Sequence, residues 1–296
     1  GTWKVSFMRA PGGSVPMRLQ VKGLVGGHSG LEIDKGRGNS LKIIIRVLLA
    51  LHDVGARLSY IEGGNKRNAI PREAEAIVFV PKDKARKAGA VVKKFNETVK
   101  AELATVEPGL SISLERVKDA ANKVIKRDEQ KRILQTIAGL PHGVTKMSAD
   151  IPGLVETSTN VAVLTTGKST ISLETSQRSS VASEMDEIVQ TVAAIFELGG
   201  AKVELDAGYP GWKPDLNSRI LATAKSTYTE LYGATPEVKA VHAGLECGII
   251  GEKYPGMDMV SFGPTLEGVH SPDEKIYIDS VEKYWDFLLG ILARVQ

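Results

Sequence analysis

A single cysteine, Cys247, is all that this chain of 296 residues contains. No internal disulfide framework can staple it, and no thiolate cluster can hold a zinc ion. One isolated thiol fits a reducing compartment, which gives the expectation of a cytoplasmic protein. Long hydrophobic runs are missing too: Ile43-Ile-Ile45 and Val47-Leu-Leu-Ala-Leu51 are too short and interrupted to span a bilayer. No charge of one sign dominates. The 38 Lys and Arg against 35 Asp and Glu leave a net charge of +3, spread along the chain. The densest basic stretch, Lys82 to Lys94, reads as a solvated helix face, so neither nucleic acid nor membrane is an expected partner. What is present is the composition of a soluble globular protein, 25% charged and 42% apolar, in a length that makes one large or two ordinary domains.

Periodicity organises the first two thirds. The alternation over 17–24 predicts a strand, followed by helix 39–54, strands 57–63 and 73–80, helix 82–105 and strand 111–117. Gly38-Asn39-Ser40 starts the first helix and Gly55 closes it. The pattern nearly repeats as helix 126–139, strands 156–166 and 169–178 joined at Gly167-Lys168, helix 181–198 and strand 201–207. Two βαββαβ-like halves predict a doubled α+β domain, an antiparallel sheet with helices on one face. After Trp212 the order changes to helix 215–232, strand 237–242, helix 245–251, strand 257–263 and helix 279–294, which fits an α/β arrangement. Tyr209-Pro-Gly-Trp-Lys-Pro214 reads as the linker.

Four dense segments carry the chemistry. Phe262 to Glu274 puts His270 in a Gly/Pro-bounded loop after the apolar run 257–262, expected as a buried strand whose end would present the imidazole. Val241-His-Ala-Gly-Leu-Glu-Cys-Gly248 brackets Leu245 with Gly244 and Gly248, where backbone N–H groups could face a carboxylate. Gly26-Gly-His-Ser-Gly30 presents His28 in a sharp loop. Asn65 to Glu73 places Asn68 between two strands. His52, late in a helix where a cation is favourable, and His142, after Pro141 in a turn, belong to no motif.

In this order, these segments resemble the aminoacyl-histidine (Xaa-His) dipeptidases, members of the M20 group of di-zinc metallopeptidases. The resemblance rests on Gly26-Gly-His-Ser-Gly30, Arg67-Asn-Ala-Ile-Pro-Arg-Glu73, Val155-Glu-Thr-Ser158 with Asn160-Val161, Gly208-Tyr-Pro-Gly-Trp212, His242 to Gly248, Met257 to Ser261 and His270-Ser-Pro-Asp-Glu274. It runs from about Met17 to the end. The opening Gly1 to Ala10 has no clear counterpart in the family.

The resemblance implies a fold of two parts: residues 16–208 as the lid and dimerisation domain, and residues 209–296 as the C-terminal half of a zinc-peptidase catalytic domain, with 1–15 unassigned. His28 resembles the lid histidine that polarises the scissile carbonyl, supplied across a dimer interface in related proteins. Asn68 resembles a substrate-binding asparagine, and Arg178 stands where the family holds the substrate carboxylate in an arginine fork. Gly244 and Leu245 would offer backbone donors to the same carboxylate. His270 resembles a zinc ligand. The family's other ligands, carboxylates and a histidine from the first part of its catalytic domain, have no counterpart here. The implied activity is hydrolysis of Xaa-His dipeptides, carnosine-like ones included, by a water held on two zinc ions, with manganese or cobalt as substitutes. The partners are then the dipeptide and a second copy of the chain. The alternatives are a non-catalytic dimerisation and clamping fragment, or another M20 peptidase or carboxypeptidase.

Overall fold

A computed structural model describes residues 1–206, 208, 210–212, 215, 217–238, 246–267 and 274–295. They form two compact units that divide near residue 208. In chain order the first unit contains β1 (Thr2–Lys4), β2 (Phe7–Arg9), β3 (Ser14–Lys22), β4 (Gly27–His28), α1 (Ser40–Val54), β5 (Arg57–Gly63), β6 (Ala69–Ile70), β7 (Ala74–Pro81) and α2 (Ala85–Glu102). It continues with β8 (Ser111–Arg116), β9 (Lys123–Ile125), α3 (Arg127–Gly139), β10 (Gly143–Met147), β11 (Val155–Thr166), β12 (Thr170–Ser179) and α4 (Ala182–Leu198).

The main sheet runs β1-β12-β11-β5-β7-β3-β8 with β10 beside β11, and every pairing is antiparallel. Its β5-β7-β3-β8 half is a split βαββαβ unit. Along β3, Met17, Leu19 and Val21 are buried while Arg18 and Lys22 are exposed, as a one-sided sheet requires. Four helices cover one face: α1 packs between α2 and α3, and α3 meets α4. That central place explains why α1 is apolar nearly all round, burying Leu41, Ile43, Ile44, Ile45, Val47, Leu48 and Leu51. Asn39 caps it by accepting from Leu41 N and Lys42 N, and Gly55 closes it in the left-handed conformation.

The second half differs from a simple repeat. The β11–β12 hairpin turns at Gly167, whose N–H reaches Thr170 O at 2.8 Å. The strand expected at 201–207 is reduced to one bridge, Thr2 with Lys202. The reason is β1, which pairs Thr2–Lys4 against Thr170–Ser172 and takes the edge beside β12. Trp3 is fully buried, its Nε1 donating to Gly199 O at 3.0 Å. The opening residues, unassigned from the sequence, are thus an integral edge.

The second unit holds α5 (Arg219–Tyr232), α6 (Glu246–Lys253), β13 (Leu266–Glu267), β14 (Lys275–Ile276) and α7 (Asp279–Leu292). Tyr228, Tyr232, Phe262 and Phe287 pack edge-on or tilted between α5 and α7. The buried strand expected at 257–263 is not one: the segment is irregular, and Met257 is exposed. No described segment pairs with it, and a strand without neighbours leaves its backbone groups to water. The strand expected at 237–242 is irregular at Glu237 and Val238; its remainder lies outside the described residues.

Candidate functional site

The site is built on the sheet face away from the helices. Val161 and Thr175 pair across β11 and β12 with Val161 in the main core, so Ser158, Asn160, Ser176 and Arg178 project from the opposite face. Ser158 lies directly across from Arg178, and Asn160 from Ser176. Arg178 is partly buried, and burial pulls its guanidinium below the ordinary arginine range. Its buried Nε has no hydrogen-bond partner.

Against this face lies a ribbon made of β4 and β6, pairing Gly27 with Ile70 and His28 with Ala69. The ribbon brings the His28 and Asn68 loops together, and Ser29 N donates to Asn68 O at 2.8 Å. Asn160 ties the ribbon to β11: its Nδ2 donates to Ala69 O at 2.8 Å and to Arg67 O at 3.2 Å. The ribbon thus brings the His28 and Asn68 segments together, and Asn160 links it to β11, where Arg178 on β12 is the diagonal neighbour of Asn160.

His28 is held on several sides. Its Nδ1 accepts the backbone N–H groups of Gly30 at 3.2 Å and Leu31 at 3.1 Å. An acceptor Nδ1 assigns the proton of the neutral ring to Nε2, so Nε2 is the donor. The backbone N–H of His28 donates to Glu32 Oε2 at 2.8 Å, and Glu32 pairs with Arg37 at 2.8 Å. Gly27 has φ +137°, and a Cβ there would lie 2.6 Å from that same Glu32 oxygen. Beneath the loop, the buried carboxylate of Glu107 accepts from Val25 N at 2.6 Å and Gly38 N at 2.9 Å. An imidazole N–H donor can stabilise negative charge on a carbonyl oxygen, and a partly desolvated guanidinium can bind a carboxylate.

The sequence of residues 19–107 matches the M20 peptidase dimerisation domain. Over 288 residues, 96% of this chain, it is 41% identical to the cytosol non-specific dipeptidase of Escherichia coli (strain K12). The crystal structure of aminoacylhistidine dipeptidase from Vibrio alginolyticus superposes with a TM-score of 0.91 at 39% identity, covering 100% of this chain. That likeness includes the opening residues that the family motifs did not reach. The chain spans 59% and 60% of the length of these two relatives. His28 and Asn68 fall within or at the rim of the ribbon β4–β6, inside the M20 dimerisation domain, whereas Arg178 lies C-terminal to it.

Gly244, Leu245 and His270 lie outside the described residues. Among the described residues, no three His, Cys, Asp or Glu side chains come together as metal ligands. His52 stands in the last turn of α1 as a buried structural residue: its Nδ1 contacts Gln130 Nε2 at 3.1 Å, and burial pulls its pKa below the ordinary value. Two contributors carried no usable signal in the sequence. Glu107 belongs to none of the motifs, and Asn160 stands beside Val155–Ser158 with no role implied by the resemblance.

Proposed function

We propose that this chain is the dimerising and substrate-clamping part of a cytoplasmic dipeptidase that cleaves Xaa-His dipeptides, carnosine-like ones included. The observation that supports this most is the oriented His28: its Nδ1 is occupied by two backbone donors, which commits Nε2–H to donate. Such a donor suits the oxygen of the scissile carbonyl as negative charge develops on it. Arg178 grips the C-terminal carboxylate of the dipeptide as a fork, and Asn68 hydrogen-bonds the substrate beside it. Gly244 and Leu245 add backbone donors to that carboxylate. Two zinc ions, with His270 as one ligand and others from outside the described residues, would supply the activated water. The protein works as a homodimer through its lid domain, which the match of residues 19–107 supports, and His28 of one subunit serves the active site of the other.

Subunit mixing tests this. In the intact protein, His28→Ala should lower kcat by about 10²–10³-fold, the usual cost of one oxyanion donor, with metal content unchanged. His270→Ala should lower metal occupancy. Heterodimers of the two variants should recover part of the activity, because one hybrid site combines a sound metal centre with a sound His28. No recovery in verified heterodimers overturns the arrangement across subunits, and an unchanged kcat in His28→Ala removes its role.

A further inference from the structure

Asn160 is buried, 1% exposed, in the middle of β11. Its side-chain orientation is fixed by chemistry: two carbonyl oxygens, Arg67 O and Ala69 O, face one end of the amide, so that end is the NH₂ group. The other end, Oδ1, is a buried acceptor with no partner. Buried acceptors are rarely left unpaired, because desolvating them without a donor is costly. Two further buried polar atoms without partners belong to the same region, Arg178 Nε and Ser29 Oγ. Asn160 and Arg178 are diagonal neighbours on one sheet face, which sets their Cβ atoms roughly 7 Å apart.

An orphan cation and an orphan acceptor at that spacing call for a ligand bearing an anion and an N–H close together. In the C-terminal residue of a peptide, the amide nitrogen and the carboxylate sit on one carbon. We propose that Asn160 Oδ1 accepts the backbone N–H of the residue whose carboxylate Arg178 holds. The inference rests on the carboxylate reading of Arg178 and extends it to a second contact. Asn160 then does two things with one amide. Its NH₂ fixes the carbonyls on either side of Asn68, and its oxygen selects peptides and N-acyl amino acids over compounds lacking that N–H.

Three small probes separate the parts: N-acetylhistidine, its α-acetoxy counterpart with the N–H replaced by oxygen, and N-acetylhistidine carboxamide. Their dissociation constants are measured by calorimetry on the intact protein and on Asn160→Ala. The wild-type protein should bind the acetoxy compound on the order of tenfold more weakly than N-acetylhistidine, the expected effect of stranding a buried acceptor. In Asn160→Ala the two should bind within about twofold of each other. Equal binding of the two by the wild-type protein, with the carboxamide still weak, overturns the Asn160 contact and leaves the Arg178 reading standing. A tenfold gap that survives in Asn160→Ala overturns it as well. A carboxamide that binds as tightly as the acid, or no binding of any probe, removes the Arg178 reading and the inference with it. The wild-type comparison stands even where Asn160→Ala does not fold.

Discussion

The backbone N–H of Leu31 points at Nδ1 of His28 from 3.1 Å. A ring nitrogen that accepts cannot carry the proton, so the neutral imidazole is the Nε2–H tautomer, set by a backbone that also supplies the Gly30 N–H. The loop thereby decides which atom of His28 is offered to chemistry, before any ligand arrives.

Long-range ¹H–¹⁵N spectra near pH 8, where an ordinary imidazole is neutral, should show Nδ1 of His28 as the unprotonated nitrogen. The His28 signal is identified by its loss in His28→Gln. A protonated Nδ1 would contradict the loop geometry and the donor role of Nε2 together.

Gly64→Ala should be severely destabilising. Gly64 has φ +70°, and an added Cβ would lie 1.9 Å from Ala162 O, a backbone atom of β11. A flexible side chain could yield; a strand paired on both sides cannot. Loss of about 3 kcal/mol or more is expected in denaturant unfolding, against less than about 0.5 kcal/mol for Gly12→Ala, where a Cβ meets nothing within 4 Å. Similar midpoints for the two variants would show that β11 shifts freely.

How much of this was legible follows from the length scale of each signal. Met17, Leu19 and Val21 alternate over enough residues to declare a half-buried strand, and Asn39 and Gly55 mark the ends of α1 by local chemistry alone. The β1 edge was not legible, because Thr2-Trp-Lys4 is too short for a period and its partner lies about 170 residues away in sequence. Met257 to Phe262 misled for the converse reason: apolar composition invites a strand, but only a neighbouring strand makes one. His28, Asn68 and Arg178 could be named from motifs. Their link through Asn160 needed the register of β11 against β12 and the hydrogen bonds from Asn160 to the ribbon, which are long-range facts.

Trp3→Ala tests whether the N-terminal edge matters to the core. The indole is 1% exposed, packs on Phe196 with ring centroids 5.6 Å apart and hydrogen-bonds Gly199 O. Truncation should cost about 3–5 kcal/mol, and Trp3→Phe noticeably less, because it keeps an aromatic ring against Phe196 while losing the N–H and part of the indole volume. A Trp3→Ala protein as stable as wild type would make β1 a dispensable strap.

His142 should set part of the acid limit of stability. Its Nδ1 lies 3.3 Å from Asn39 Nδ2 and 3.4 Å from Val161 N, at the junction of α1 and β11. Burial first, and then the positive charge of Lys42, lower its pKa to about 4 from an ordinary 6.5. Between those values the unfolded chain binds a proton that the folded one refuses, so stability rises with pH across that window. The contribution is complete above about pH 6.5 and is lost as pH falls toward 4, with an upper bound on the order of 3 kcal/mol. Chemical unfolding at pH 4.5 and pH 7.5 should therefore show a smaller pH difference in His142→Gln than in the wild-type protein, even where the variant is less stable at both. An identical pH difference in the two proteins would mean that His142 titrates alike in the folded and unfolded chains, and the acid limit would have to come from other groups such as His52.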